Sequence, residues 1–218
     1  MKKIFIVFVV ILTFIGCEKL DVIGKYSVTS FSNLIENKEI KINEEDNYYT
    51  IELNDGNSFG MSKFFSKDLP HFNLDLDAAD FIQAGLDVNK LDGNYVFDKD
   101  SNRIKINFKT DNDSINSNNG IEELFKQIVK YKRGIIGYHE DLDHYGISLG
   151  KGNAFEWAKD LKTNDKDVVF VLYPEPFINA GLNPDNLKSW IYAKVKIKDE
   201  RGNPKEVFRF LKPYNLGE

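Results

Sequence analysis

The 218-residue chain has one cysteine, three histidines and two tryptophans. A single thiol excludes an intramolecular disulfide, a multi-thiolate zinc site and an iron–sulfur cluster. Two of the three histidines, His139 and His144, stand close together, which leaves little material for a Ser-His-Asp triad. The net charge is −5, so the clustered lysine and arginine that phosphate contacts require are not in surplus, and no nucleic-acid partner is expected. The chain contains no G-x-S-x-G, P-loop, H-E-x-x-H or dinucleotide fingerprint. Catalysis is therefore not the leading expectation, and no cofactor is implied. Aromatic mass is what the chain does have, with 17 Phe and 10 Tyr in a composition that is 42% hydrophobic. That is enough for a packed core and argues against intrinsic disorder.

The one cysteine has a telling position. Met1-Lys2-Lys3 is followed by twelve residues, Ile4 to Ile15, all apolar except Thr13, and then by Gly16-Cys17. A basic start and a short apolar run are the marks of an export signal. Twelve helical residues rise about 18 Å, well short of the roughly 30 Å hydrocarbon core. The ending Phe14-Ile15-Gly16-Cys17 resembles the lipobox of bacterial lipoproteins. The resemblance covers residues 1–17 only. It implies that the Cys17 thiol receives a diacylglycerol, that residues 1–16 are removed, and that the mature chain is anchored on the extracytoplasmic side of the membrane. Two or three acyl chains anchor stably, at about 0.8 kcal/mol per buried CH₂.

The rest of the chain repeats itself. Residues 49–91 align with 145–187 without a gap at a shift of 96, and fourteen of the 43 positions are identical. The densest block is Phe81-Ile82-x-Ala84-Gly85-Leu86, which recurs as Phe177-Ile178-x-Ala180-Gly181-Leu182. Gly56-Asn57 recurs as Gly152-Asn153. This tandem duplication divides the chain into a leader at 1–16, a first unit at 17–108, a polar linker at 109–120 and a second unit at 121–218.

One unit predicts the other. Alternation at 49–53 and 145–149 marks a strand, and the following glycine marks a turn. Phe155, Ala158 and Leu161 fall at helical spacing, so a short helix is expected there and at 59–67 in the first unit. A second strand follows at 72–77 and 168–173. A short helix then ends at Gly85 or Gly181, where glycine supplies the left-handed cap. Each unit closes with a hairpin, 94–97 with 103–108 and 190–198 with 206–211. Ile121, Leu124, Phe125, Ile128 and Val129 form an amphipathic helix opening the second unit, with Phe31, Leu34 and Ile35 as its shorter counterpart. The expected class is α+β: two pseudo-symmetric repeats, each a small, mainly antiparallel sheet with short helices. Common ancestry suggests a pseudo-twofold packing with a cleft between the units.

The two copies differ in polarity. The second-unit strand Val168-Val169-Phe170-Val171-Leu172 is apolar on both faces and must be covered on both. Its counterpart Phe72-Asn73-Leu74-Asp75-Leu76-Asp77 has one polar face. The first copy is strongly acidic and the second nearly neutral.

Three constellations bear on chemistry. His139, Glu140, Asp141, Asp143 and His144 combine imidazoles with carboxylates, the donor set of a zinc or manganese site. The bland reading is a hydrated loop. Asp75, Asp77 and Asp80 form a carboxylate row, though Asp77 and Asp80 also suit a helix start. Trp157, Trp190 and Tyr192 can stack on a ligand if they line a cleft, and they fill the core if they do not. Lys194, Lys196 and Lys198 read as a solvated strand face. The leading expectation is a lipid-anchored envelope protein that binds a partner protein or a small ligand, with Asp75, Asp77, Trp157, Trp190 and Tyr192 as candidate contacts. The alternatives are a metal-assisted hydrolase using the His139–His144 cluster and a structural subunit of an envelope complex.

Overall fold

The computed structural model describes residues 8–10, 17–111, 114–139, 142–161, 167–198 and 203–216. Its elements run in order as β1 (Phe8–Val10), α1 (Cys17–Ile35), β2 (Lys41–Glu44), β3 (Tyr48–Glu52), β4 (Ser58–Ser62), β5 (Phe72–Asp77), α2 (Ala79–Gln83), β6 (Tyr95–Asp98) and β7 (Arg103–Phe108). The second half continues with α3 (Ile121–Tyr131), β8 (Ile136–His139), β9 (His144–Ser148), β10 (Ala154–Ala158), β11 (Val168–Leu172), α4 (Glu175–Asn179), β12 (Ile191–Lys198) and β13 (Pro204–Tyr214).

The protein is α+β and built twice. One antiparallel sheet has the strand order β2-β3-β4-β5-β7-β6, and the other has β8-β9-β10-β11-β13-β12. These are the same order, strand for strand. The segment β1 adds to the outer edge of β12, in parallel. The duplication therefore reaches beyond the aligned residues to both helices and the closing hairpins.

One expectation from spacing is overturned. The segment after Gly56 or Gly152 is a strand, β4 or β10, and not a helix. Phe155 and Trp157 alternate as well as Phe155 and Ala158 fall three apart, so a segment this short fits both periods. The turn decides between them. Gly56 and Gly152 take positive φ, 77° and 85°, and fold the chain back so that Phe59 pairs with Ile51 and Phe155 with Ile147. The strand ladder then satisfies the backbone.

The repeated asparagine has a matching explanation. Asn57 Oδ1 accepts the Asp77 amide at 2.8 Å, and Asn153 Oδ1 accepts the Tyr173 amide at 2.8 Å. Each side chain also donates across to the other unit, Asn57 to the Tyr214 hydroxyl at 2.9 Å and Asn153 to the Tyr95 hydroxyl at 3.0 Å. One residue thus ties a turn to its own sheet and to the neighbouring copy. Burial pushes both phenols up from their ordinary pKa.

The expected cleft is filled. The inner faces of the two sheets meet in one hydrophobic core that draws on both units. Equivalent residues touch each other at its centre. Phe59 stacks on Phe155 with ring centroids 4.4 Å apart, and Phe81 meets Phe177 at 5.1 Å. Helices α1 and α3 pair in the same way through Phe31 and Phe125, 4.0 Å apart. The helix α1 is longer than the counterpart expected from Phe31, Leu34 and Ile35. Part of the polar linker is also held down: Ile115 is buried, its carbonyl accepts the Phe65 amide at 2.8 Å, and the Ser117 amide donates to the Lys63 carbonyl at 2.7 Å.

The short helices α2 and α4 end as the sequence predicts. Gly85 and Gly181 both have φ near +100°, and the Leu86 and Leu182 amides reach back to the Phe81 and Phe177 carbonyls at 3.0 Å. The two caps also lie against each other. The Asp87 amide donates to the Ala180 carbonyl at 2.8 Å, and the Asn183 amide donates to the Ala84 carbonyl at 2.8 Å. A Cβ on Gly85 would sit 3.1 Å from the Gly181 carbonyl oxygen, and the converse distance is also 3.1 Å. Glycine is needed for the dihedral and for the approach.

Gly85→Ala and Gly181→Ala are each expected to cost about 1–3 kcal/mol, by similar amounts, because each strains the same cap against the same neighbour. Urea unfolding followed by tryptophan fluorescence measures both. A loss below a few tenths of a kcal/mol in either variant contradicts the paired-cap geometry.

Candidate functional site

With the inner faces committed to the core, any site on the sheets lies on an outer face. The two outer faces differ in the way the sequences diverge. On the first sheet, Thr50 of β3, Ser58 of β4, Asn73 and Asp75 of β5, and Lys105 and Asn107 of β7 point outward. Together with Glu45 and Tyr48 they line an open trough of about 290 Å³. Ladder pairs bring them side by side, Ser58 opposite Asp75, Asn73 opposite Asn107 and Asp75 opposite Lys105. At the equivalent places the second sheet has Gly146, Ala154, Val169 and Val171.

The trough has a fixed floor. Arg103 Nε donates to Asp75 Oδ1 at 2.6 Å, and its Nη2 donates to both the Gly56 and Asp75 carbonyls, at 2.5 and 2.8 Å. The carboxylate of Asp75 is therefore held in place, with one oxygen engaged by the guanidinium. Tyr48 donates its hydroxyl to the Pro70 carbonyl at 2.7 Å, and burial beside Glu45 raises its pKa, so it stays a neutral phenol. Asn73 leans over Gly60, where a Cβ would come within 2.5 Å of its Oδ1. The trough thus offers amide, hydroxyl, carboxylate and ammonium groups on a rigid sheet. This set can hydrogen-bond a hydroxyl-rich ligand. Among the described residues that line it there is no histidine or thiol.

The His139–His144 segment folds as the β8–β9 hairpin, in which His139 lies opposite His144. Both are nearly buried. His139 Nδ1 lies 3.2 Å from Glu156 Oε2, a carboxylate 3% exposed on β10. Asp143 does not converge on this pair. It accepts from the Tyr138 hydroxyl and lies 3.6 Å from Lys159 Nζ. Glu140 and Asp141 lie outside the described residues. Among the described residues no three His, Cys, Asp or Glu side chains gather as a metal site. Glu156 occupies the place of Gly60 in the first copy, so the His139–Glu156 pair belongs to the second copy.

The other sequence candidates fall in different places. Trp157 is fully buried, with Nε1 donating to Ser30 Oγ at 2.9 Å, and Trp190 packs on Phe81 at 5.5 Å. Neither has a surface to offer a ligand. Tyr192 is half exposed and stacks on Phe208 at 4.8 Å. Asp77 accepts the Ala79 amide at 2.8 Å and opens the approach to α2. Of the carboxylate row, Asp75 alone joins the trough. Cys17 is the first residue of α1. Asn73 lies on the polar strand face read from alternation, while the trough residues of β3, β4 and β7 are not legible in the sequence because they come from separate strands. Their signal is the register-by-register contrast between the copies.

No family model, no curated protein and no solved structure matches the chain.

Breaking the buried pair on one side is expected to be costly. His139→Leu leaves the Glu156 carboxylate buried without that donor, and a loss of about 3–5 kcal/mol is expected. The double variant with Glu156→Leu should recover most of it. Urea unfolding of the two variants checks this, and a double variant no more stable than the single one rejects the pairing.

Proposed function

We propose that the chain is a lipid-anchored, extracytoplasmic binding protein, held by Cys17, that takes a hydroxyl-rich small ligand such as a saccharide in the polar trough of its first sheet. The observation that carries the anchoring is the leader itself: two lysines, an apolar run and Gly16 before the chain's only cysteine. Two or three acyl chains on Cys17 would attach the chain stably to a membrane without a helical span. The trough supports the binding half of the reading. Its polar groups project from strands, and strands fix side-chain positions more tightly than loops do.

Two measurements test the two halves. In an export-competent bacterium the wild-type protein is expected in the membrane fraction, with an N-terminal peptide that begins at Cys17 and carries acyl mass. Cys17→Ser should abolish that mass and keep the apolar leader attached. An unmodified Cys17 thiol in the mature protein rejects the anchoring. For the trough, titration calorimetry against a panel of soluble oligosaccharides should find a binder whose affinity drops about tenfold in Asn107→Ala and in Thr50→Ala. A binder indifferent to both substitutions sits elsewhere.

A further inference from the structure

The second sheet turns an apolar face outward, where the first is polar. Strand β11 points Val168, Phe170 and Leu172 into the shared core and Val169 and Val171 away from it. Leu211 on β13 lies opposite Val171, and Val195 on β12 adjoins them. These four residues are at most 3% exposed and form a second hydrophobic cluster, with Ala193 and Ile197 packed against it. An outward sheet face of this composition has to be covered, and at these exposures it is covered in the uncleaved chain.

The edge beside it is occupied. Phe8–Val10 lies along β12 as a parallel strand, with Phe8 opposite Val195, Val9 opposite Lys196 and Val10 opposite Ile197. Among the described residues the corresponding edge strand of the first sheet, β6, has no such addition. Residues 8–10 belong to the apolar run 4–15, which the lipoprotein reading removes on maturation. The segment that completes the edge in the precursor is therefore absent from the mature chain.

We propose that the β12 edge and the adjoining apolar face form an acceptor site for an extended apolar peptide from a partner protein. In the uncleaved chain Phe8–Val10 occupies the edge of this site, and the partner fills it after cleavage. An open edge supplies main-chain donors and acceptors for an added strand, and the apolar face receives alternate side chains of that strand. A peptide strand is favoured over a flat lipid surface because Phe8–Val10 already lies there as a strand paired in register with β12. The timing rests on the reading of residues 1–16 as a removable leader. The acceptor edge does not.

Two experiments separate those parts. The first uses the full chain with Cys17→Ser, in which the leader stays attached. Val9→Pro together with Val10→Pro in that chain removes two consecutive amides, one of which faces β12, and should make those amides of 195–197 that face β1 exchange with deuterium at least about tenfold faster. Unchanged exchange overturns the acceptor edge, whatever happens at Cys17. The second uses mature protein purified from membranes in detergent, its N-terminus read by mass. A labelled synthetic peptide of residues 4–15 with solubilising lysines should bind saturably to the mature protein and not to the uncleaved chain. Its version with Val9→Pro and Val10→Pro should not bind either protein. Val171→Lys, checked for folding by circular dichroism, should weaken binding by about tenfold. Peptide binding that ignores both the prolines and Val171→Lys overturns the proposal. So does a mature protein that refuses the peptide and instead dimerises in light scattering, or one whose Val171→Lys variant loses only association with phosphatidylglycerol vesicles. A leader still present in the mass spectrum rejects the timing alone.

Discussion

Equivalent residues of the two copies meet each other, and the rest of the structure depends on this. Phe59 faces Phe155, Phe81 faces Phe177, Phe31 faces Phe125, and the caps at Gly85 and Gly181 exchange a pair of backbone hydrogen bonds. Across a pseudo-twofold contact each residue must fit its counterpart in the other copy, so a change at one position has to suit the other. Large flat rings satisfy that condition by stacking, and glycines satisfy it by keeping clear. The longest identical block between the copies, Phe-Ile-x-Ala-Gly-Leu, sits at this contact. The identity follows from self-fit and needs no functional explanation.

The outer faces carry no such condition, and there the copies have separated. At matched positions Thr50, Ser58, Asn73 and Asp75 stand against Gly146, Ala154, Val169 and Val171, while Gly60 stands against Glu156. One sheet has become a polar surface over a fixed Arg103–Asp75 bridge. The other has become an apolar surface with one buried imidazole–carboxylate pair. A symmetric core thus supports two chemically distinct faces at no cost to its own packing.

Much of the fold was legible because it is local. The glycine caps, the alternating strands, the Asp87 and Asn183 turns that accept the Asn89 and Asp185 amides, and the face of α3 are all set within a few residues. The strands β4 and β10 were not legible as strands. Phe155, Trp157 and Ala158 satisfy two periods at once, and only the partner strand chooses between them. The polar face of β5 was legible from alternation. The trough around it was not, because Lys105 and Asn107 arrive through β7, which inserts between β5 and β6. The partner of His139 was hidden for the same reason. Glu156 lies beyond the neighbouring sequence cluster and reaches His139 only through the β8-β9-β10 order.

The linker between the copies is held at Ile115 and Ser117 against the β4 end of the first unit. A core made of self-complementary faces would otherwise form by collision of two separate chains, at a rate set by their abundance. Tethering replaces that second-order encounter with a first-order one, at an effective concentration in the millimolar range typical of short connectors. Assembly of the core becomes independent of how few molecules are present. The covalent join thus removes dilution as an obstacle to folding.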